Sequence, residues 1–186
     1  MDVQGKAMTD LRETIFARLR PIVGLKFWKA SRAADMIIFQ FGGPRQGRRA
    51  TVGEYCLHVQ CPWRIEAGDE IFTGRWDLWS AGVATDDLDW DAWDYEDGNL
   101  QDRRLASLLG KLDHNSKFGL SHDEPLVVDD VDCDKLGGIT ISLSGGYVIR
   151  VFPCGTRSED WRIFQPATDN PHFVIAGGAI EPEDEE

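Results

Sequence analysis

Cysteine is scarce in this chain of 186 residues: only Cys56, Cys61, Cys133 and Cys154 are present. That excludes the dense disulfide framework of a small secreted domain, so reduced thiols and a cytoplasmic address are expected. Long hydrophobic runs are also missing. The densest, Met36 to Phe39, falls far short of a membrane span, and the first thirty residues hold no apolar stretch of the signal-peptide kind. Positive charge is in deficit, with 20 Lys and Arg against 32 Asp and Glu and a formal net charge of −12. A general affinity for nucleic acid or for an anionic membrane surface is therefore not expected.

Catalytic and cofactor signatures are absent as well. There is no paired Cys-x2-Cys or His-x3-His unit to set the corners of a zinc tetrahedron. Cys56 and His58 share one face of a strand, but the pleat turns Cys61 to the other. No Gly-x-Ser-x-Gly elbow occurs, and Gly137-Gly138 and Gly145-Gly146 lack the spacing and the following helix of a phosphate cradle. Arg45, Arg48 and Arg49 on a Gly/Pro loop offer a grip for an anion or are simply solvated. No metal, no cofactor and no catalytic residue is expected from the sequence, and an enzyme is the less favoured class.

What is present is ordinary globular material, 42% apolar and 28% charged. It suits one domain over residues 1–180 followed by an acidic tail, 181–186, too charged to pack. A first helix is expected after Asp10, which caps it while Glu13 completes a capping box. Leu11, Ile15, Phe16 and Leu19 form its stripe, and Pro21 ends it. A second starts at Asn99 and carries Leu105, Leu108, Leu109 and Leu112 at helical spacing, with Gly110 a weak point inside it. The rest reads as strand: Leu25 to Trp28, Met36 to Phe41, Glu70 to Trp76, Trp161 to Phe164 and His172 to Ala176. The clearest alternation puts Tyr55, Leu57, Val59, Cys61, Trp63 and Ile65 on one face, with Glu54, Cys56, His58, Gln60 and Arg64 on the other. Strands follow one another as hairpins without βαβ alternation. The expected fold is α+β: a largely antiparallel sheet, single or split into two that pack together, with two amphipathic helices.

One register can be derived. In Ile139 to Phe152 a two-residue Gly145-Gly146 turn would mix polar and apolar side chains on each face. A three-residue loop, Ser144-Gly145-Gly146, pairs Leu143 with Tyr147, Ile141 with Ile149 and Ile139 with Val151, and so separates the faces. A bulged turn with Gly146 alone at positive φ is expected. The sequence also echoes itself. Gly53 to Val59 and Gly145 to Val151 share Gly-x-Tyr-x-aliphatic-basic-Val, and each is followed by Trp-Arg-Ile, at 63–65 and 161–163. Either an old duplication or the convergence of strand patterns accounts for this.

At Leu57 to Ile65 (LHVQCPWRI), Thr73 to Trp79 (TGRWDLW), Val151-Phe152-Pro153 and Glu159 to Phe164 (EDWRIF), the chain resembles a group of uncharacterised bacterial proteins. Their segments read LHxQCxWRI, GxxDLY and VFP…EhWRhF, where h is apolar. The resemblance implies a bacterial origin and carries over no functional residue.

The most unusual stretch runs from Asp86 to Asp97, with seven carboxylates and no basic residue among twelve. An EF-hand alignment on Asp87, Asp89 and Asp91 puts Ala92 where the sharp turn needs glycine, so a calcium loop is not expected. Trp90, Trp93 and Tyr95 stand among the acids. Either the rings pack down on the sheet, or Asp87, Asp89, Trp90, Asp91, Trp93 and Asp94 form a recognition surface for a basic partner, the rings anchoring and the acids steering. The charge asymmetry of the chain, ten basic and five acidic side chains in residues 1–60 against two and twelve in residues 61–102, suits such a partner or self-association into a homo-oligomer. The leading expectation is a small acidic binding protein of immunity or accessory type. The alternative is an enzyme or small-ligand binder with a site around His58, Arg64 and Arg162.

Overall fold

In the computed structural model, residues 10–47, 50–83, 89–113, 117–119 and 126–182 are described. Helix α1, Leu11–Leu19, starts where the Asp10 side chain accepts from the Arg12 amide, and it buries Ile15 and Leu19. Pro21 does not break the chain away. It sits in a 3-10 turn, Arg20–Ile22, that carries the helix one turn further, and Phe16 lies exposed off the expected stripe. Helix α2, Leu100–Leu109, is capped by Asn99, which accepts from the Asp102 amide. It ends at Gly110, whose φ of 81° leaves the helical region, so Leu112 belongs to a strand and is exposed.

Among the described residues there are fifteen strands: β1 Phe27–Ala33, β2 Met36–Phe41, β3 Arg45–Gln46, β4 Thr51–Val52, β5 Tyr55–Val59, β6 Trp63–Ala67, β7 Glu70–Gly74, β8 Lys111–Asp113, β9 Lys117–Gly119, β10 Val128–Cys133, β11 Ile139–Leu143, β12 Tyr147–Val151, β13 Glu159–Phe164, β14 Phe173–Ala176 and β15 Ala179–Ile180. They form an eight-stranded sheet ordered β15-β14-β13-β5-β2-β1-β9-β8, a five-stranded sheet ordered β10-β11-β12-β6-β7, and a small β3-β4 hairpin. Each pairing among these strands is antiparallel. The molecule is thus mostly antiparallel strand in several sheets, with few helices. One hydrophobic cluster takes side chains from both large sheets, and the Phe39 and Trp63 rings meet edge to face at 5.3 Å across it.

The long alternating run serves both sheets. Leu57 and Val59 lie in β5 of the larger sheet, Trp63 and Ile65 in β6 of the smaller, and the chain turns the corner at Gln60-Cys61-Pro62 without changing which face it buries. The echoed segments then prove to be one ladder built twice. In the first, Trp161 opposes Val59, Arg162 opposes His58 and Ile163 opposes Leu57. In the second, Trp63 opposes Val151, Arg64 opposes Arg150 and Ile65 opposes Ile149. The outer neighbours match as well. Ile37, Phe39 and Phe41 of β2 pair with Val59, Leu57 and Tyr55 as Ile139, Ile141 and Leu143 of β11 pair with Val151, Ile149 and Tyr147. The irregularity between Phe27 and Lys29 in β1 coincides with that between Val128 and Asp130 in β10, whereas those of β6-β7 and β13-β14 fall at different positions. With β8, β9 and β15 set aside, each half of the chain gives three strands to one sheet and two to the other, and equality of register over this many pairs favours duplication over convergence.

The hairpin has the derived register, Leu143 against Tyr147 through to Ile139 against Val151. Its turn differs in one respect: Gly145 as well as Gly146 takes positive φ, 75° and 80°. Beyond β7 the chain leaves the sheet as a 3-10 turn, Arg75–Trp79, where the sequence reading ran the strand on to Trp76. Of the acidic tail, Glu181 donates its amide to the Val174 carbonyl and so continues the β14-β15 hairpin; residues 183–186 lie outside the described residues.

Candidate functional site

The repeated ladder places two polar ridges at equivalent positions on the outward faces of the two sheets. On the larger sheet, His58 and Arg162 are cross-strand neighbours, and Arg162 forms an ion pair with Glu159. The Phe164 ring meets His58 edge-on at 4.9 Å and stacks on His172 at 3.9 Å, while the Arg162 guanidinium lies 3.4 Å from His172 Nδ1. Burial, and after it the positive charge of Arg162, lowers His58 to about 4, so its ring is neutral at pH 7. Burial would raise the Glu159 carboxyl, but its hydrogen bond and ion pair with Arg162 hold it below the usual range.

On the smaller sheet the counterpart ridge is Arg64, Arg150 and Glu66. The carboxylate of Glu66 accepts from Arg64 Nε at 2.7 Å and Arg150 Nε at 2.8 Å, and these bonds outweigh the burial that would raise its pKa. The structure thus brings His58 and Arg162 together and sets Arg64 on the other sheet. All three side chains face outward, and both arginines have carboxylate partners.

Thiol chemistry has little support on these ridges. Cys56 shares the outward face with His58 yet is buried, because the β3-β4 hairpin folds across neighbouring Lys29 and Gln40. Lys29 Nζ donates to the Thr51 carbonyl, and Gln40 Oε1 accepts from the Gly53 amide. Burial pushes the Cys56 thiol up to about 12. A thiolate–imidazolium pair needs the thiol lowered and the imidazole raised; here both move the other way. Cys61 is likewise buried and pushed up to about 12. All four cysteines are free thiols. Among the described residues no three His, Cys, Asp or Glu side chains gather as a metal would require.

The second candidate lies between the two repeats, where β7 has ended and α2 has not begun. Trp76, Trp90 and Trp79 are 70%, 56% and 49% exposed, and Val83 is exposed beside them in sequence. Trp79 meets Tyr95 edge to face at 5.0 Å, and Trp90 meets Trp93 at 6.0 Å. Trp93 is half-buried, and its indole N–H donates to the Gly98 carbonyl. The backbone from Asp89 is folded rather than extended. The Asp89 carbonyl accepts from the Trp93 amide, Asp89 Oδ1 from the Asp91 amide, and Asp94 Oδ1 from the Glu96 amide. Asp89, Asp91, Asp94 and Glu96 are all exposed. Asp87, with Asp86, lies outside the described residues.

Sequence reasoning found Trp90 and Trp93 through the acids around them. It missed Trp76 and Trp79, because Trp76 was read as part of a strand; the signal was Asp77. Its carboxylate accepts from the Thr73 hydroxyl at 2.9 Å and the Gly74 amide at 3.2 Å, ending the strand and starting the turn that turns both indoles outward. Among the described residues no helix is long and apolar enough to cross a membrane. Compared with known protein families, with curated proteins and with solved structures, the chain matches none.

Proposed function

We propose that this protein is a binding module of the immunity or accessory kind, and that the tryptophan-bearing acidic surface between its two repeats docks a basic protein partner in the bacterial cytoplasm. One observation carries the reading: Trp76, Trp79 and Trp90 leave about half or more of their surface in water in a stretch rich in exposed carboxylates, although the chain buries Trp63 and Trp161 almost completely. Exposed indoles are costly unless something covers them, and they supply affinity through burial while like-signed charges around them raise the association rate. The repeat supports the reading from another side. Trp76, Trp79 and Trp90 follow the end of β7 and precede α2, outside the paired strands of either ladder.

The other reading, an enzyme or small-ligand site around His58, Arg64 and Arg162, has less support. Its residues are divided between two outward faces, and both guanidiniums already hold carboxylates. The test uses the triple variant Asp89→Asn, Asp91→Asn and Asp94→Asn. Affinity capture from bacterial lysate with identification of the captured proteins should return proteins of high pI for the wild type. Capture by the variant should fall about tenfold at low salt, where steering is strongest. Recovery of the same proteins by both would count against the docking role.

A further inference from the structure

We infer that the element docked is an arginine-rich segment, each guanidinium lying flat on an exposed indole with a neighbouring carboxylate at its edge; this rests on the docking role proposed above and specifies its partner. The surface offers platforms rather than a pocket. Trp79 is braced by Tyr95 and Trp90 by Trp93, with interplanar angles of 70° in both pairs. The Trp93 brace is itself fixed through its bond to Gly98. Edge-to-face bracing holds a ring in place while leaving indole surface open, and that open face carries the negative side of the ring quadrupole.

The chain satisfies several other rings with its own cations. Arg18 lies over Phe173 at 5.5 Å, Arg64 over Phe152 at 5.0 Å, Arg104 over Phe72 at 5.6 Å, and Lys29 over Trp28 at 5.3 Å. Among the described residues no such cation covers Trp76, Trp79 or Trp90, and the arginines nearest in sequence are engaged elsewhere. Arg75 holds Asp35 at 2.5 Å and the Gln60 carbonyl, and Arg103 donates to the Gly82 carbonyl. Asp89 and Asp91 flank Trp90 in sequence, and Asp94 and Glu96 flank Tyr95, so acceptors accompany each braced pair. A planar guanidinium can stack and donate in its own plane at once, whereas an ammonium, a compact and strongly hydrated point charge, is attracted to the ring face but cannot stack on it and keep in-plane bonds to the acceptors alongside. Steering alone would not distinguish the two; platforms with acceptors alongside would.

The full chain is titrated with fluorescein-labelled octa-arginine and octa-lysine, read by fluorescence anisotropy at low and at physiological salt. Octa-arginine is expected to bind about tenfold more tightly than octa-lysine. In the variant Trp76→Ala, Trp79→Ala, Trp90→Ala that preference should vanish while the fold, read by far-UV circular dichroism, is retained, since none of the three side chains belongs to the buried core. The asparagine variant described above should weaken both peptides, and octa-arginine the more, because the carboxylates are its in-plane acceptors as well as a source of steering. Equal affinity of the wild type for the two peptides would overturn the arginine inference and leave the docking role standing. Failure of the wild type to bind either peptide saturably would overturn both.

Discussion

His58 sits half-buried between Arg162 and Phe164, held neutral in the folded protein down to about pH 4, whereas in the unfolded chain it takes up a proton near its ordinary value of 6.5. Between those values the unfolded state binds more protons, so stability is present above pH 6.5 and is lost as the pH falls toward 4. From pH 7 to pH 5 the loss amounts to about 2 kcal/mol. His172, also lowered by burial and by Arg162, adds to it with the same sign. The lowered carboxyls of Glu159 and Glu66 keep their contribution through this window and lose it only on further acidification. Chemical denaturation of the wild type and of His58→Leu at pH 7 and pH 5 checks this. The variant should lose markedly less stability over the interval, and parallel losses would show that His58 is not the residue that responds.

Glycine turns decide how several strands are joined, and two of them make a useful contrast. Gly146, at φ 80°, has open space where a Cβ would stand, so Gly146→Ala meets only backbone strain of about 1 kcal/mol. Gly137, at φ 86°, would put a Cβ 2.8 Å from Ile175 of the opposite sheet, and its carbonyl accepts from the Trp161 indole at 2.7 Å. Gly137→Ala should therefore cost about 2 to 3 kcal/mol, measured by urea unfolding, and equal costs would contradict the packing of this turn. The hairpin at Ser144 to Gly146 was legible in the sequence because only one register kept Ile141 and Ile149 on a common face. The cap at Asn99 was legible for a similarly local reason. The end of α2 was not, because Leu112 prolongs the helical spacing past a glycine whose backbone has already left the helix. Nor was the corner at Pro62, since alternation is blind to a change of sheet when the buried face is preserved. Burial of Cys56 depended on the β3-β4 hairpin, a nonlocal cover. For the same reason the acids and rings around Trp90 could be read, while the exposure of Trp79, which needs the Asp77 turn, could not.

At the level of the whole molecule, α2 fastens the two sheets to each other. Arg32 of β1, its side chain only 7% exposed, pairs through both terminal nitrogens with Asp102 in the first turn of α2. Next to it Gln101 donates to the Gly74 carbonyl at the end of β7. Asp102→Ala leaves a buried guanidinium without this partner and should cost about 3 kcal/mol. Asp132→Ala, which breaks the exposed pair with Arg12, should cost less than about 1 kcal/mol. Calorimetry on the two variants checks the ranking, and similar melting temperatures would remove α2 from this role. The crosswise sharing of strands has a further consequence for synthesis on the ribosome. β5 and β6 emerge early, yet each lies beside a strand translated much later, Val59 opposite Trp161 and Trp63 opposite Val151, so neither sheet can close until the second repeat has been made. Until then the nascent chain displays two apolar strands with open edges, and its safe delivery depends on the pace of translation and on chaperones as much as on the stability of the finished protein.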